Sequence, residues 1–373
     1  MGRAGTKTEG VRASAEHGNP FYAVILSGGS GERFWPLSTP ERPKQFLSVF
    51  GGKSLIRQAV ERLEGLVGAE RILVITAESL VKATLKELPE LPRSNIVAEP
   101  CRRDTAAAVA TACGMVERLG GEDAVAAILT ADQLMDNVKA FRQVLSDAAR
   151  AAAVNGDIVT MGVKPDYPAT GFGYIQVGSP IALDTATKFF RAKRFVEKPN
   201  AATARRYLAS GKYVWNAGMF VWKVSVMKAA LRHGAPALAE LATAVADRRA
   251  KVAEVMADRY PDLPRISIDY AVMEKAKNIL VSGGDFGWDD VGTWSSADRH
   301  LPVDRMHNVK KGEVAALDVT NSVMIAEPGA PRIAALGVDN LVIVATGTSV
   351  LVADKSRVQD LKRLLAEINL KGK

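Results

Sequence analysis

Residues 22 to 46 carry the side chains and glycines best suited to bind an anion. The apolar run Tyr22 to Leu26 predicts a buried parallel strand, and Ser27 to Gly31 follows it directly with three glycines. Glycines let backbone N–H groups approach an anion closely, because they carry no side chain. Arg33 and Lys44 add positive charge, and the planar guanidinium of arginine suits phosphate oxygens. The stretch therefore predicts a cradle for a nucleotide triphosphate.

Two better-known glycine loops do not fit this stretch. A P-loop needs Lys followed by Ser or Thr after its last glycine, whereas Gly31 is followed by Glu32 and Arg33. The dinucleotide-binding loop needs a third glycine where this chain has Phe34. The run through Arg33 to Lys44 is thus the more specific signal.

Carboxylates after predicted strands are the candidates for metal binding. Asp132 follows the apolar strand Ala124 to Leu129, and a carboxylate there can hold Mg²⁺ together with substrate phosphates. The alternative is that Asp132 caps a helix that begins near Asn137. Asp289 and Asp290 are adjacent carboxylates and form a second candidate position. The residues alone do not show which of the two would bind the metal.

The elements that position these residues alternate between strands and helices. Apolar segments predict strands at 22–26, 71–76, 95–98 and 124–129, and periodic segments predict helices at 54–63, 80–88 and 104–119. Ser54 is the predicted N-cap of the first helix, and Asp104 or Thr105 that of the third. The alternation predicts an α/β domain with a Rossmann-like, mixed and mainly parallel sheet, whose ligands lie beyond the carboxyl ends of the strands.

Composition narrows the class of protein. The chain has 373 residues, 47% hydrophobic and 24% charged, which is ordinary for a globular protein. The net charge is +8, but the chain has no basic run interleaved with aromatic residues. Neither nucleic acid nor a membrane is therefore an expected partner. Cys101 and Cys113 have no zinc-site spacing and suit a reducing cytoplasm. Residues 1–20 lack an apolar core and are expected to form a disordered tail.

The motifs resemble those of the sugar-1-phosphate nucleotidylyltransferases. Gly28-Gly29-Ser30-Gly31-Glu32-Arg33, then Pro36-Leu37 and Pro43-Lys44, is similar to their N-terminal motif. Within that superfamily, Phe34-Trp35 and Phe195-Val196-Glu197-Lys198-Pro199 resemble the mannose-1-phosphate guanylyltransferases. Gly171 to Ile175, Trp215 to Phe220 and Gly287 to Trp294 resemble further motifs of that family, with Ala217 where the family has Ser and Gln133 where many members have His.

The resemblance implies roles for individual residues. It makes Asp132 and Asp290 ligands of Mg²⁺, with Asp289 at the variable position, and it makes Arg33 and Lys44 catalytic cations. The implied nucleotide-binding residues are Ser27, Gly28, Gly29, Gly31, Arg33, Lys44 and Thr105. The implied sugar-phosphate residues are Gly173, Glu197, Lys198 and Asn216. From the residues alone, Glu197 and Lys198 are equally well a surface ion pair, Thr105 a helix cap, and Asp269 a cap or a substrate-orienting group.

The resemblance also implies a domain organisation and an activity. A catalytic domain is expected over 21–300 and a β-helix-like domain with a terminal helix over 301–373, without a strict repeat and without the isomerase domain of some relatives. The implied reaction joins GTP and mannose 1-phosphate into GDP-mannose and pyrophosphate in a cytoplasmic homodimer. Two alternatives remain: a transferase for another nucleotide and hexose 1-phosphate, and a catalytically silent subunit that senses nucleotide sugars.

Overall fold

The computed structural model describes residues 18–29 and 31–371, so most of the predicted tail over 1–20 lies outside the described residues. The strands are β1 (Phe21–Ser27), β2 (Ile72–Ala77), β3 (Ile96–Glu99), β4 (Val125–Thr130), β5 (Leu134–Met135), β6 (Ile158–Val163), β7 (Tyr174–Ile181), β8 (Phe189–Val196), β9 (Tyr213–Lys223), β10 (Ile279–Ser282), β11 (Trp288–Asp289), β12 (Val309–Lys311), β13 (Val314–Leu317), β14 (Val323–Ala326), β15 (Ile333–Leu336), β16 (Leu341–Ala345) and β17 (Val350–Asp354). The helices are α1 (Leu55–Glu61), α2 (Val81–Glu87), α3 (Thr105–Gly120), α4 (Val138–Asn155), α5 (Ala201–Ser210), α6 (Val224–Gly234), α7 (Pro236–Ala246), α8 (Val252–Arg259), α9 (Ala297–His300) and α10 (Leu361–Lys371).

The predicted Rossmann-like sheet is confirmed. The strand order is β3-β2-β1-β4-β9-β6-β10-β8-β7, and β1 is parallel to both β2 and β4. Ile25 of β1 pairs with Val74 on one side and Leu129 on the other, and all three side chains are buried. The glycine segment follows β1 and Asp132 follows β4, so both segments leave the sheet at the carboxyl ends of neighbouring strands.

The second half of the sheet is mixed, and its arrangement was not predicted. Strand β9 is antiparallel to both β4 and β6, and it separates these two strands. Sequence reasoning used the segment from Trp215 to Phe220 only as a motif. Its pairing partners are far away along the chain, so no local pattern reveals that the strand lies in the middle of the sheet.

Packing divides the chain into two compact units. The first comprises 59–130 and 135–288 together with the chain up to Gly28, and the second comprises 29–58, 131–134 and 289–373. In the first unit, α3 packs closely against α7 because Gly114 has no side chain. A Cβ on Gly114 would lie 2.4 Å from the carbonyl oxygen of Ala242. No helix in the described part of the chain is both long and apolar enough to span a membrane.

The second unit ends in a coiled β structure with a repeat that sequence analysis missed. Strand β13 is parallel to β15, and β14 is parallel to β16, with paired residues 19 positions apart, as for the Thr320–Asp339 and Asn321–Asn340 side-chain hydrogen bonds. The two coils have similar patterns from Val314 to Ala326 and from Ile333 to Ala345. The expectation of no strict repeat was therefore wrong. The described residues contain two full coils, and so short a repeat is easily overlooked.

The segment after the glycines belongs to the core of this second unit. The ring of Phe34 is fully buried and contacts Trp294, with ring centroids 4.9 Å apart. The Trp294 indole donates a hydrogen bond of 3.1 Å to the carbonyl oxygen of Trp35. Val323 and Val342 of the coiled region belong to the same apolar cluster. The apolar residues of the two motifs thus fix the backbone on which Arg33 and Asp290 are placed.

Candidate active site

Lys44 is the centre of the first group of predicted site residues. Its side chain is 8% exposed, and its ammonium donates hydrogen bonds of 3.0 Å to Asp132 Oδ2 and 2.7 Å to the backbone oxygen of Asp290. A buried ammonium requires such acceptors, because burial without them would be costly. Lys44 therefore joins the two segments that carry the predicted metal ligands.

The carboxylates of Asp132 and Asp290 repel one another. Burial raises the pKa of Asp290, and Asp132 raises it further, while Lys44 opposes both effects. The side chain of Gln133 forms a hydrogen bond with Asp290. Gln133 thus positions one carboxylate directly, although sequence reasoning noted it only as a departure from the family pattern.

Asp132 does not cap the following helix. The N-cap of α4 is Asn137, whose side chain accepts a hydrogen bond of 3.0 Å from the backbone N–H of Ala140. The carboxylate of Asp132 is bound to Lys44 instead. The alternative of a purely local capping role is therefore wrong.

The neighbouring carboxylates of Asp289 and Asp290 have different surroundings. Asp289 Oδ2 lies 2.7 Å from Arg299 Nε and 2.9 Å from His300 Nε2, and Asp289 Oδ1 accepts a hydrogen bond from the backbone N–H of Val291. Burial opposes ionisation of Asp289, but these hydrogen bonds outweigh it and hold its pKa well below the usual range. The carboxylate of Asp289 binds other groups of the protein, whereas Asp290 lines a cavity.

That cavity has a volume of about 200 Å³. Its lining residues all belong to the second compact unit and are Gly31, Glu32, Arg33, Phe34, Lys44, Asp132, Asp290, Gly292 and Lys362. A side chain on Gly292 would come within 3.2 Å of Asp290 Oδ2. The cavity is small, strongly polar and lined by both cations and carboxylates. Such a lining suits phosphate oxygens together with a metal ion.

Gly31 allows Lys44 to reach this position. Its backbone is left-handed with φ of +61°, and a Cβ there would lie 2.3 Å from the Cβ of Lys44 and 2.7 Å from its backbone nitrogen. The carbonyl oxygen of Gly31 accepts a hydrogen bond of 2.7 Å from the Ser38 hydroxyl. Only glycine accommodates both the left-handed backbone and this close approach.

In the first compact unit, a carboxylate lies beside the end of β1. Glu99 Oε2 is 3.5 Å from the position that a Cβ on Gly28 would occupy, and Glu99 Oε1 accepts a hydrogen bond from the Tyr260 hydroxyl. Burial raises the pKa of Glu99, while the hydrogen bond from Tyr260 opposes the shift. A Cβ on Gly28 would make ordinary van der Waals contact with this carboxylate, so Glu99 lies directly beside the start of the glycine segment.

Thr105 has a structural role in the described residues. The N-cap of α3 is Asp104, whose carboxylate accepts a hydrogen bond from the Thr105 backbone N–H at 2.7 Å. The Thr105 hydroxyl accepts a hydrogen bond of 3.0 Å from the backbone N–H of Ile268. The predicted contact between Thr105 and the nucleotide stays a prediction.

The predicted sugar-phosphate residues also lie together in the first unit. The Asn216 N–H donates a hydrogen bond of 2.9 Å to the Gly173 carbonyl oxygen, and a Cβ on Gly173 would lie only 2.6 Å from Glu197 Oε2. The Lys198 ammonium is 2.5 Å from Glu197 Oε1, and this hydrogen bond raises the pKa of Lys198. The group presents two carboxylate oxygens, an amide and an ammonium around a glycine backbone.

Asp269 also belongs to this second group. Sequence reasoning had left open whether it caps a helix or orients a substrate. Its Oδ1 accepts a hydrogen bond of 2.8 Å from the Asn216 amide, and it makes no side-chain cap to the short π-helix Asp269–Met273. Burial raises the pKa of Asp269 to about 6, and Glu197 contributes in the same direction. The interpretation of Asp269 as a helix cap was therefore wrong.

The raised pKa of Asp269 predicts a pH-dependent contribution to stability. An unfolded Asp titrates near 3.9, so the folded protein holds this proton more tightly. The contribution is fully present below about pH 4 and is lost as pH rises through about 6, with a total of about 2–3 kcal/mol. Urea unfolding of the wild type and Asp269→Asn from pH 4 to 8 measures it. Between pH 4 and 8, we expect the unfolding free energy of the wild type to fall relative to that of Asp269→Asn. A constant difference between the two proteins would contradict the assignment.

Two family models match the chain. The nucleotidyl transferase family matches residues 22–300, and the family described as MannoseP isomerase/GMP-like beta-helix domain matches 312–368. A mannose-1-phosphate guanylyltransferase of Salmonella typhimurium is 38% identical over 94% of this chain and 74% of its own length. Mannose-1-phosphate guanylyltransferase 2 of Escherichia coli O157:H7 is 36% identical over 94% of this chain and 74% of its own length.

The chain belongs to the mannose-1-phosphate guanylyltransferase family. A crystal structure from Thermus thermophilus, named as a mannose-1-phosphate geranyltransferase, shares the fold with a TM-score of 0.83. It is 36% identical, and the match covers 94% of this chain and 99% of the Thermus chain. The family resemblance found in the motifs is thus confirmed over nearly the whole sequence.

The donor set of this guanylyltransferase-family chain fits a divalent metal. Asp132 and Asp290 supply hard oxygen ligands, and their mutual repulsion would be relieved by a cation. Within the described ranges no cluster of three or more Asp, Glu, His or Cys side chains could hold a metal ion. Magnesium commonly uses one or two carboxylates and takes its remaining oxygens from water and phosphate, so two ligands are enough.

Sequence reasoning assigned no role to two residues of the group around Lys44. Gln133 contacts Asp290, and its signals were its position beside Asp132 and its departure from the His of many family members. Lys362 of α10 lines the cavity, and its only signal was the basic character of the last 19 residues of the chain. Both contacts arise from folding between segments that are distant in the sequence.

Proposed function

We propose that the protein transfers GMP from GTP to α-D-mannose 1-phosphate, giving GDP-mannose and pyrophosphate. The observation that carries the proposal is the buried Lys44 bound to both Asp132 and the backbone of Asp290, beside Gly31 and Arg33. Membership of the mannose-1-phosphate guanylyltransferase family supports the choice of substrates. We further propose a cytoplasmic homodimer, as expected from the sequence resemblance.

The proposed reaction is an in-line displacement at the α-phosphorus of GTP. A phosphate oxygen of the sugar phosphate forms the new P–O bond, and the bond to the β-phosphate breaks, so that pyrophosphate leaves with the electron pair. A phosphate monoester is already anionic near neutral pH, and no strong general base is needed. Catalysis then depends on positioning and on stabilisation of developing charge.

The chain's own residues divide this work in the proposal. Arg33 and the backbone N–H groups of the glycine segment bind the β- and γ-phosphates, and Lys44 stabilises charge near the α-phosphate. Asp132 and Asp290 would hold Mg²⁺, which when bound neutralises phosphate charge and orients oxygens. Gly173, Glu197, Lys198 and Asn216 orient the mannose phosphate, with the ammonium of Lys198 toward its phosphate.

The test is pyrophosphate release from purified protein with Mg²⁺. GTP, ATP, UTP and dTTP are each paired with mannose 1-phosphate and with glucose 1-phosphate. We expect turnover with GTP and mannose 1-phosphate to exceed all other pairs. Preference for another pair would replace these substrates with the first alternative, and inactivity in all eight combinations would favour the silent sensing subunit.

We also propose that Glu99 reads the guanine base. Guanine presents two neighbouring donors, N1–H and the exocyclic amine, and an ionised carboxylate accepts from both, whereas adenine presents an acceptor at N1. Glu99→Gln is expected to lower the ratio of kcat/KM for GTP to that for ATP about tenfold or more, because a site built to bind a polar edge rejects the wrong edge strongly.

Tyr260→Phe is the matched variant for this prediction. It keeps the buried ring and removes the hydroxyl that donates to Glu99. We expect a smaller loss of preference in the same direction, because Tyr260 acts only by orienting the carboxylate. An unchanged preference for GTP in Glu99→Gln would remove Glu99 from base recognition.

A further inference from the structure

The C-terminal helix contributes one residue to the lining of the cavity beside Lys44. We call it the phosphate-side cavity, because the proposed reaction places the phosphates of GTP there. Eight of the nine lining residues lie in the N-terminal motif, at Asp132 or in the segment around Asp290, and the ninth is Lys362 of α10. The sequence resemblance implies only a β-helix-like domain with a terminal helix in this region, and no site residue. A lysine from that region in this cavity therefore calls for its own explanation.

The start of α10 is held firmly in the second compact unit. Leu361, directly before Lys362, is 4% exposed and belongs to the same apolar cluster as Phe34. The turn before the helix is anchored by Lys355, whose ammonium lies 2.8 Å from Asp298 and 3.0 Å from Asn321 Oδ1. The backbone of Lys362 is thus fixed relative to Phe34, which follows Arg33.

The side chain of Lys362 is not fixed in the same way. Its ammonium lies 3.8 Å from Glu32 Oε2, and the two side chains are 56% and 42% exposed. An ion pair of this kind contributes little in water, because solvent screens it and both side chains remain flexible. The ammonium can therefore exchange Glu32 for a more highly charged anion in the cavity.

Charge in the cavity favours that exchange. Lys44 already donates to Asp132 and to the Asp290 backbone, so much of its charge is compensated. A nucleoside triphosphate brings about four negative charges near neutral pH, concentrated on its terminal phosphates. Arg33 and Lys362 are the other two cations that line the cavity. Arg33 and a Mg²⁺ ion, which would carry two positive charges, leave part of that charge unmatched, and Lys362 can bind it.

We propose that Lys362 binds the β- and γ-phosphates of the nucleotide and the pyrophosphate product. The proposal rests on the function proposed above. It places the C-terminal helix in the substrate site, where it contributes a side chain rather than support alone. Lys362 lies on the Glu32 side of the cavity, next to the glycine segment, and so contacts the leaving group and not the transferred GMP.

Arg363→Ala is the matched control for Lys362→Ala. The two residues are neighbours on α10 and carry the same charge, but Arg363 lines a separate groove with Leu351 and Leu364. Removing either cation changes the net charge equally, so long-range electrostatics cancel in the comparison. Lys362→Arg restores a cation that can donate to phosphate.

The test measures KM for each substrate in both directions of the reaction. We expect Lys362→Ala to raise KM for GTP and for pyrophosphate about tenfold, the typical effect of losing one charged hydrogen bond. KM for GDP-mannose and for mannose 1-phosphate should stay within about twofold, since neither carries the leaving group. Arg363→Ala should resemble the wild type throughout, and Lys362→Arg should recover most of the loss.

Several outcomes would overturn the inference. They are an unchanged KM for GTP in Lys362→Ala, an equal loss in Arg363→Ala, and a parallel rise in KM for GDP-mannose, which would indicate a displaced helix. Calorimetric binding of GTP and of pyrophosphate to the three variants gives the same test without turnover. If the wild type binds both ligands but transfers no GMP, the proposed function fails while the role of Lys362 is still decided by the binding constants.

Discussion

Asp132→Asn is expected to lower kcat about 100-fold or more at saturating substrates. The substitution keeps the shape of the side chain and removes the charge that pairs with Lys44 at 3.0 Å. It also removes one of the two proposed metal ligands. The interaction with developing charge at the α-phosphate is lost mainly in the transition state, so kcat should fall more than KM rises. The measurement is pyrophosphate release as a function of Mg²⁺ concentration.

Asp290→Asn and Asp289→Asn form an informative pair beside this variant. Asp290→Asn should reproduce the loss of kcat, because Asp290 lines the cavity. Asp289→Asn should instead cost about 2 kcal/mol of unfolding free energy, because it removes a partly buried charge that pairs with Arg299 and His300, while kcat changes little. Unchanged turnover of Asp132→Asn at limiting Mg²⁺ would refute its metal role.

The lowered pKa of Asp289 also predicts how the effect of Asp289→Asn on stability depends on pH. The ionised carboxylate stabilises the folded protein at pH values above about 4, and this stabilisation is lost as pH falls further. Asp289→Asn should therefore differ most from the wild type near neutral pH and least in acid. Equal effects of the two substitutions on kcat would remove the distinction that their surroundings support.

Gly31→Ala is expected to lower kcat/KM for GTP about 100-fold. The new Cβ would lie 2.3 Å from Lys44 Cβ and 2.7 Å from the Lys44 backbone nitrogen, so the segment carrying Lys44 must move. The left-handed backbone adds a cost of about 1 kcal/mol for any other residue. A displacement of about 1 Å at a catalytic cation can reduce the rate by two orders of magnitude.

Gly52→Ala controls for the backbone conformation. Gly52 is also left-handed, with φ of +78°, but no atom lies within 4 Å of its added Cβ. It should show the same small loss of stability with kcat/KM for GTP near the wild-type value. If both alanines reduced activity equally, backbone strain and not displacement of Lys44 would be the cause.

A role for the C-terminal helix would change how this family member is viewed. The second compact unit contains the residues of the phosphate-side cavity together with the coiled β region and α10. The core that holds Phe34 and Trp294 includes Val323 and Val342 of the coils. The coiled region thus stabilises, through packing, the segment that carries Arg33 and Lys44, and under our proposal α10 supplies Lys362.

Strong local signals in the amino-acid sequence predict several elements of the structure. Continuous apolar runs identified β1 to β4, and Ser54 marked the start of α1, as its hydrogen bond from the Arg57 N–H confirms. For α3 the sequence left Asp104 and Thr105 as alternatives, and the hydrogen bond from the Thr105 N–H identifies Asp104 as the N-cap. The motifs also identified the family and several of the residues that line the cavity or surround Gly173. These properties depend on side-chain type at fixed spacing, which the chain displays directly.

The grouping of neighbouring and distant residues arises instead from tertiary packing. The motif resemblance implies Asp290 as the metal ligand, but the different surroundings of Asp289 and Asp290 arise because Arg299 and His300 approach Asp289. The central position of β9, the contact of Gln133 with Asp290 and the approach of Lys362 to Glu32 likewise join segments far apart in the chain. Burial and pairing between such segments set each group's charge and reach, and no local pattern encodes them.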